Sequence, residues 1–250
     1  MADASNPRAS LRRIRKAPIA PRKTTAERPP RGARRKRETR ARLLDATLRL
    51  VAEKGLEGVT INEITEAADV GFGSFYNHFE SKEGIFIALI EWLFGEFANT
   101  LDRLAADVSD PAEVIAVSVR HTLMRAYSEP VWGRLLIREG LSTRALNRGL
   151  GQQLRRDGER GIAEGRFVVE DHFMCLLSVI GIILAGIAAE LHFAVLSKRA
   201  VRKRRALRSS EEEFAERTAA IVLQAYGLEA VEAESIARRP LPTGSNLRPG

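Results

Sequence analysis

The sequence predicts an all-α protein: an N-terminal unit of three short helices followed by a larger C-terminal helical domain. Three observations predict it. Apolar residues recur at helical steps, most plainly Phe86, Ile90, Leu93, Phe97, Leu101 and Leu104, spaced by threes and fours. Helix boundary signals punctuate the chain: Thr60-x-x-Glu63, Ser81, Asp110-Pro111 and Ser210-x-x-Glu213 at starts, and Gly55, Gly165 and Gly227 at ends. No stretch alternates apolar and polar residues as a half-buried strand does.

Residues 1–35 are rich in Arg, Pro and Ala, lack apolar periodicity and read as a disordered basic arm. Helical pattern begins near Lys36, with Leu44, Leu48 and Val51 on one face. Thr60-Ile61-Asn62-Glu63 is a capping box, so a short helix should run from Ile61 to Ala68. Asp69-Val70-Gly71 breaks it, Asp being tolerant of left-handed backbone. Gly71 can then cap a second short helix from Phe72 to Phe79, in which Phe75 and Phe79 point inward and Ser74, Asn77 and His78 do not. Two short helices joined by a tight turn form a helix-turn-helix, here residues 36–82. Ser81 caps a long helix from Lys82 to about Ala106, with Lys82 at an N-terminus where an anion is favoured.

Residues 83–237 should form the larger helical domain. Asp110-Pro111 opens a helix to about Tyr127, and Pro130 a short one carrying Trp132, Leu135 and Leu136. A polar helix spans about Thr143 to Ala163. Phe173 to Ala189 is seventeen residues without a charge. That is short for a membrane span, and its Ser178, Gly181 and Gly186 favour a buried or interface helix instead. Ser210-x-x-Glu213 should start the last long helix, with a short acidic helix over Glu229 to Ala237 and a disordered tail over 238–250. Lys198 to Arg208, with seven basic residues in eleven, reads as a solvated connection.

The net charge of +8 is unevenly placed: residues 1–40 carry +11 and the remainder −3. A basic arm on a near-neutral body suggests a polyanion partner, most often nucleic acid. Arg31, Arg34, Arg35, Lys36 and Arg37 are the cations expected to lie along phosphates or in a minor groove. A single cysteine, Cys175, excludes an internal disulfide framework and multi-cysteine zinc sites, and a reducing, cytoplasmic setting fits. The basic N-terminus lacks an apolar segment of signal-peptide type. Gly71-x-Gly73 lacks the third glycine and preceding strand of a nucleotide loop. With no nucleophile–base pair, metal set or cofactor loop, neither an enzyme nor a cofactor is expected.

LLDATLRLVAEKG (43–55) and VTINEITEAADVGFGSFYNHFESKEGIF (59–86) together resemble the TetR family of transcriptional repressors. Ala68, Val70, Gly73, Ser74, Tyr76, His78, Phe79 and Ser81-Lys82-Glu83 carry the resemblance. It implies a cytoplasmic homodimer on a pseudo-palindromic double-stranded DNA operator, with Phe72 to His78 as recognition helix. Asn62, Gly71, Phe72, Gly73 and Asn77 match base-facing positions, and Thr60, Ser74, Tyr76, His78 and Lys82 match phosphate contacts. Asp69 stands where the family usually has Gly, and Gly71 where it has Ser, which removes a capping hydroxyl. So poor a set of hydrogen bonders implies help from DNA shape. The family also implies pairing of the helices starting near Phe173 and Ser210 across a two-fold axis, and release by a small apolar effector. His121, Met124, Tyr127, Trp132 and Cys175 are the candidate pocket residues, with ordinary core packing as their other reading. Ligand-independent or activating regulation, and membrane association through Phe173–Ala189, are the alternatives.

Overall fold

The computed structural model describes residues 31–197 and 204–242, and side chains within them except at residue 31 and at 192–210. Eleven helices and no strands occur among the described residues: α1 (Arg31–Lys54), α2 (Ile61–Ala67), α3 (Phe72–Phe75), α4 (Lys82–Leu104), α5 (Pro111–Ser128), α6 (Pro130–Glu139), α7 (Thr143–Asn147), α8 (Gly149–Ala163), α9 (His172–Ser197), α10 (Arg204–Ala225) and α11 (Ala230–Ala237). Helices α1 to α3 and the start of α4 make the head. α5 sits at the centre of the rest, against α6, α8, α9, α10 and α11, and α4 runs from the head along α8.

The local signals act as physical chemistry says they should. Thr60 Oγ1 accepts from Glu63 N at 3.3 Å and Glu63 Oε2 accepts from Thr60 N at 2.9 Å, closing the capping box. Ser81 Oγ accepts from Gly84 N, and Asp110 Oδ1 from Ala112 N with Pro111 next in line. Asp69 takes φ +52° at the turn between α2 and α3, a left-handed conformation that few side chains but Asp and Asn adopt cheaply. Arg120, 3% exposed, staples the centre to the C-terminus: its guanidinium donates to the Arg239 carbonyl and pairs with Glu212 and Glu216 of α10.

Six expectations need correction. The basic arm does not stay irregular to residue 35: α1 begins at Arg31, because Ala33, Glu38 and the Arg/Lys run are good helix formers and Arg34 pairs with Glu38 one turn on. Residues 1–30 lie outside the described residues. α3 ends at Phe75 rather than Phe79. Glycines 71 and 73 and the poor helix formers Asn77 and His78 support a single turn, after which the chain tightens to bring Phe79 inward. The polar helix over 143–163 is two helices. Arg148 is extended and Gly149 takes φ +55°, where a Cβ would sit 3.2 to 3.3 Å from the backbone of Phe94 and Gly95. Ser210 starts nothing, since α10 already runs from Arg204 through a stretch of helix formers. Within the basic run, 198–203 lies outside the described residues and Arg204 to Arg208 is helical. The tail is docked as far as it is described: Arg239 pairs with Glu113, and Leu241 packs on the core.

Candidate nucleic-acid interface and regulatory cavity

Phe75 is fully buried and Phe79 6% exposed, so the aromatic cluster anchors α3 to the head. The remaining residues of the same short stretch are left outward. Phe72 and Tyr76 are half exposed, edge to face at 5.5 Å, and Gly71, Gly73 and Asn77 are exposed beside them. Thr60 and Asn62, from the start of α2, are exposed too, whereas Ser74, His78 and Lys82 are partly covered. The expected DNA-contacting residues thus fall on the turn of α3 and the two helix starts flanking it.

Gly71 caps α3 with no side-chain hydrogen bond, as its lack of a hydroxyl requires. A Cβ at Gly71 or Gly73 would meet no atom within 4 Å. Nothing inside the chain therefore calls for glycine at Gly73, whose φ is not positive. Gly73→Ala is expected to stabilise the fold by about 0.5–1 kcal/mol. It is expected to weaken operator DNA binding roughly ten-fold, for about 1.4 kcal/mol of lost approach. Thermal melting and binding titration of the same variant check the pair of opposite signs.

His78 Nδ1 is buried without a partner. Burial, and then the charges of Lys36 and Arg40, hold its pKa below the ordinary 6.5, so its imidazole is neutral at pH 7 and a neighbouring phosphate would reverse the bias. Lys82 does not point off the end of α4. Its ammonium donates to the Glu57 carbonyl at 3.2 Å and lies 5.5 Å from the Phe86 ring.

The C-terminal part holds an apolar cavity between α4, α5, α8 and α9, about 60 Å³ in volume. Phe94, Leu101, Ile115 and Leu184 wall it, and Ser118, Thr122, Gln153 and Asp157 are its polar members. Ser118 Oγ is buried without a hydrogen-bond partner. Burial raises the Asp157 pKa, with Arg156 opposing it at 2.9 Å.

None of the five pocket residues expected from sequence lines this cavity. Met124 and Tyr127 lie on the other side of α5 from Ile115, Ser118 and Thr122, and His121 on its flank, because each residue turns the helix about 100°. Trp132 is packed core, edge to face with Phe94 and Phe97 under the Arg125 guanidinium. The Cys175 thiol donates to the Ala225 carbonyl at 3.4 Å, and burial pushes its pKa up. The signal that could have located the cavity is the glycine pair 140 and 151, where the chain passes too close to its neighbours for a side chain.

The segment from Gly140 to Gly151 is shared property. Gly140, Ala145, Leu150 and Gly151 form one wall of the cavity. From the same segment, Arg144 and Arg148 hold Glu91 of α4 at 3.3 and 3.1 Å. α4 begins at Lys82, directly behind the exposed turn of the head.

Residues 43–89 match the model of bacterial regulatory proteins of the tetR family. Residues 110–239, just over half of the chain, match that of the tetracyclin repressor-like C-terminal domain. RolR, solved in complex with resorcinol, is 34% identical with a TM-score of 0.63, over 84% of this chain and 98% of that one. The transcriptional repressor KstR2 of Rhodococcus jostii is 33% identical over 101 residues, 37% of this chain and 50% of that protein. The transcriptional repressor DhaR of a Mycobacterium species is 36% identical over 72 residues, 29% of this chain and 36% of that protein. The chain thus spans half or less of the length of these two curated relatives.

Proposed function

The chain belongs to the TetR family, and from that premise we propose that it is a sequence-specific DNA-binding transcriptional repressor acting in the cytoplasm, not an enzyme. It binds a pseudo-palindromic operator as a homodimer and is released by a small, largely apolar effector. The observation that carries the reading is the exposed turn Gly71 to Asn77, anchored from behind by Phe75 and Phe79 and open at both glycines. Its leading end offers an aromatic pair, small residues and one amide to base edges, and Thr60, Ser74, Tyr76 and His78 offer donors without sequence preference to phosphates.

The dimer rests on α9 and α10. The apolar stretch of α9, His172–Leu191, has a mean hydropathy of 2.3 and is only partly buried in the single chain. Phe173, Met174 and Ile221 stand 64%, 54% and 53% exposed. Pairing of two such surfaces about a two-fold axis covers them and sets the two heads at a fixed spacing. The effector rests on the cavity. An apolar chamber with one unpartnered hydroxyl, Ser118, suits a small aromatic compound bearing hydroxyls, which is the chemistry of the resorcinol held by RolR.

Selection from random duplex DNA with the purified chain tests the reading. Enrichment of two inverted half-sites is expected, and absence of any motif would overturn it. Resorcinol titrated onto the selected complex then tests the effector separately. Release supports the proposed ligand class, whereas an intact complex removes that class and leaves the operator standing.

A further inference from the structure

The head is an unusual shape of charge for a DNA-binding unit. Beyond the first turns of α1, from Leu43 to Phe86, it holds three basic and eight acidic residues, a net −5. Contact with a polyanion draws its salt-dependent free energy from cations that displace counterions, so residues 43–86 need cations from outside themselves. The first turns of α1 supply them. Residues 32–42 carry Arg34, Arg35, Lys36, Arg37, Arg40 and Arg42 against the single acid Glu38, and all but Thr39 are exposed. Glu38 is engaged by Arg34. No acid among the described residues lies within ion-pair distance of Arg35, Lys36 or Arg37.

This is a helix, not a loose arm, and it is fixed where it meets the head. The Arg40 guanidinium lies 5.0 Å over the Phe79 ring. Arg42 Nη1 donates to the Asp69 carbonyl at 3.3 Å, across the turn that precedes α3. Lys36 and Arg40 both depress the His78 imidazole, which places them at the trailing end of the recognition turn. Like charges one helical turn apart, as at Lys36 and Arg40, destabilise a helix that has no anion beside it. A row of phosphates removes that cost, and charge complementarity therefore selects the occupant.

We propose that the exposed first turns of α1, residues 32–42, are a second DNA contact, a rigid rail that lies on the phosphate backbone flanking the base-reading turn and supplies much of the salt-dependent binding that the acidic residues 43–86 lack. The proposal rests on the DNA-binding reading above. The rail carries no sequence information. It sets affinity and encounter rate, while α2 and α3 set the motif.

The test uses the full chain and its selected operator, with binding measured across a salt series. In one variant Arg35→Gln, Lys36→Gln and Arg37→Gln are combined. In the other Arg35→Lys and Arg37→Lys keep the charge. All three positions are exposed, and Gln, Lys and Arg have similar helix propensity, so melting should not move. The salt slope is expected to flatten by about one for each neutralised cation that touches a phosphate. The selected motif stays the same, and the Lys variant keeps the wild-type slope. A Gln variant with the wild-type slope on an operator that the wild type binds specifically would overturn the rail alone. If instead the wild type does not distinguish operator from scrambled duplex, yet the slope still flattens, the rail stands and the sequence-specific reading falls.

Discussion

Phe75→Ala is expected to abolish operator binding by unfolding the head while leaving the C-terminal bundle folded. Phe75 is fully buried, edge to face with Tyr76 at 5.4 Å and tilted against Phe79 at 5.7 Å. It belongs to the same core as Leu43 and Ile64 of α1 and α2. Phenylalanine-to-alanine changes in such sites cost about 3–5 kcal/mol, and so small a core holds only about that much net stability. The bundle below is built round α5, whereas α3 packs chiefly on α2. Denaturant unfolding should therefore split into two transitions, the earlier one belonging to the head, with subunit association retained. A single transition at wild-type midpoint, with specific binding intact, would show that the head does not hang on this ring.

Ile221→Arg is expected to yield a monomer and to lower operator affinity by about two to four orders of magnitude, the loss of avidity when two half-sites no longer act together. Ile221 is 53% exposed on α10 while its neighbours Ala220 and Val222 are buried. A charge there is tolerated by the single chain within about 0.5 kcal/mol. Across a two-fold interface it meets its own copy in a desolvated surface, which is costly. Light scattering and operator titration read both consequences. A variant that stays dimeric would place the subunit contact elsewhere on the molecule.

What the sequence made legible was local. The capping box at Thr60 and Glu63, the caps at Ser81 and Asp110, and the left-handed turn at Asp69 each depend on a few adjacent residues, and each formed as expected. The inward ring of Phe75 and the outward set beside it followed from helical spacing, whereas Phe79 reaches the core through the turn after α3. What stayed hidden depended on distant partners. The Ser210 box looks like the Thr60 box, but the helix formers before it override the signal. The break at Arg148 and Gly149 is dictated by α4 passing beneath. The cavity was missed because a void is what packing leaves over, and aromatic or titratable residues on α5 and α6 went into core or to the far face instead.

The strap from Gly140 to Gly151 has a thermodynamic corollary. It walls the cavity on one side and grips Glu91 of α4 on the other, so cavity and head read the same element. Coupling of that kind is symmetric: whatever factor a cavity occupant takes off the affinity for DNA, DNA takes off the affinity for that occupant. On the proposed reading, a chain parked on its operator would be a poorer ligand trap than a free one, and a pool of unbound dimers, growing with expression, would soak up the small molecule first and delay the response of the operator-bound fraction.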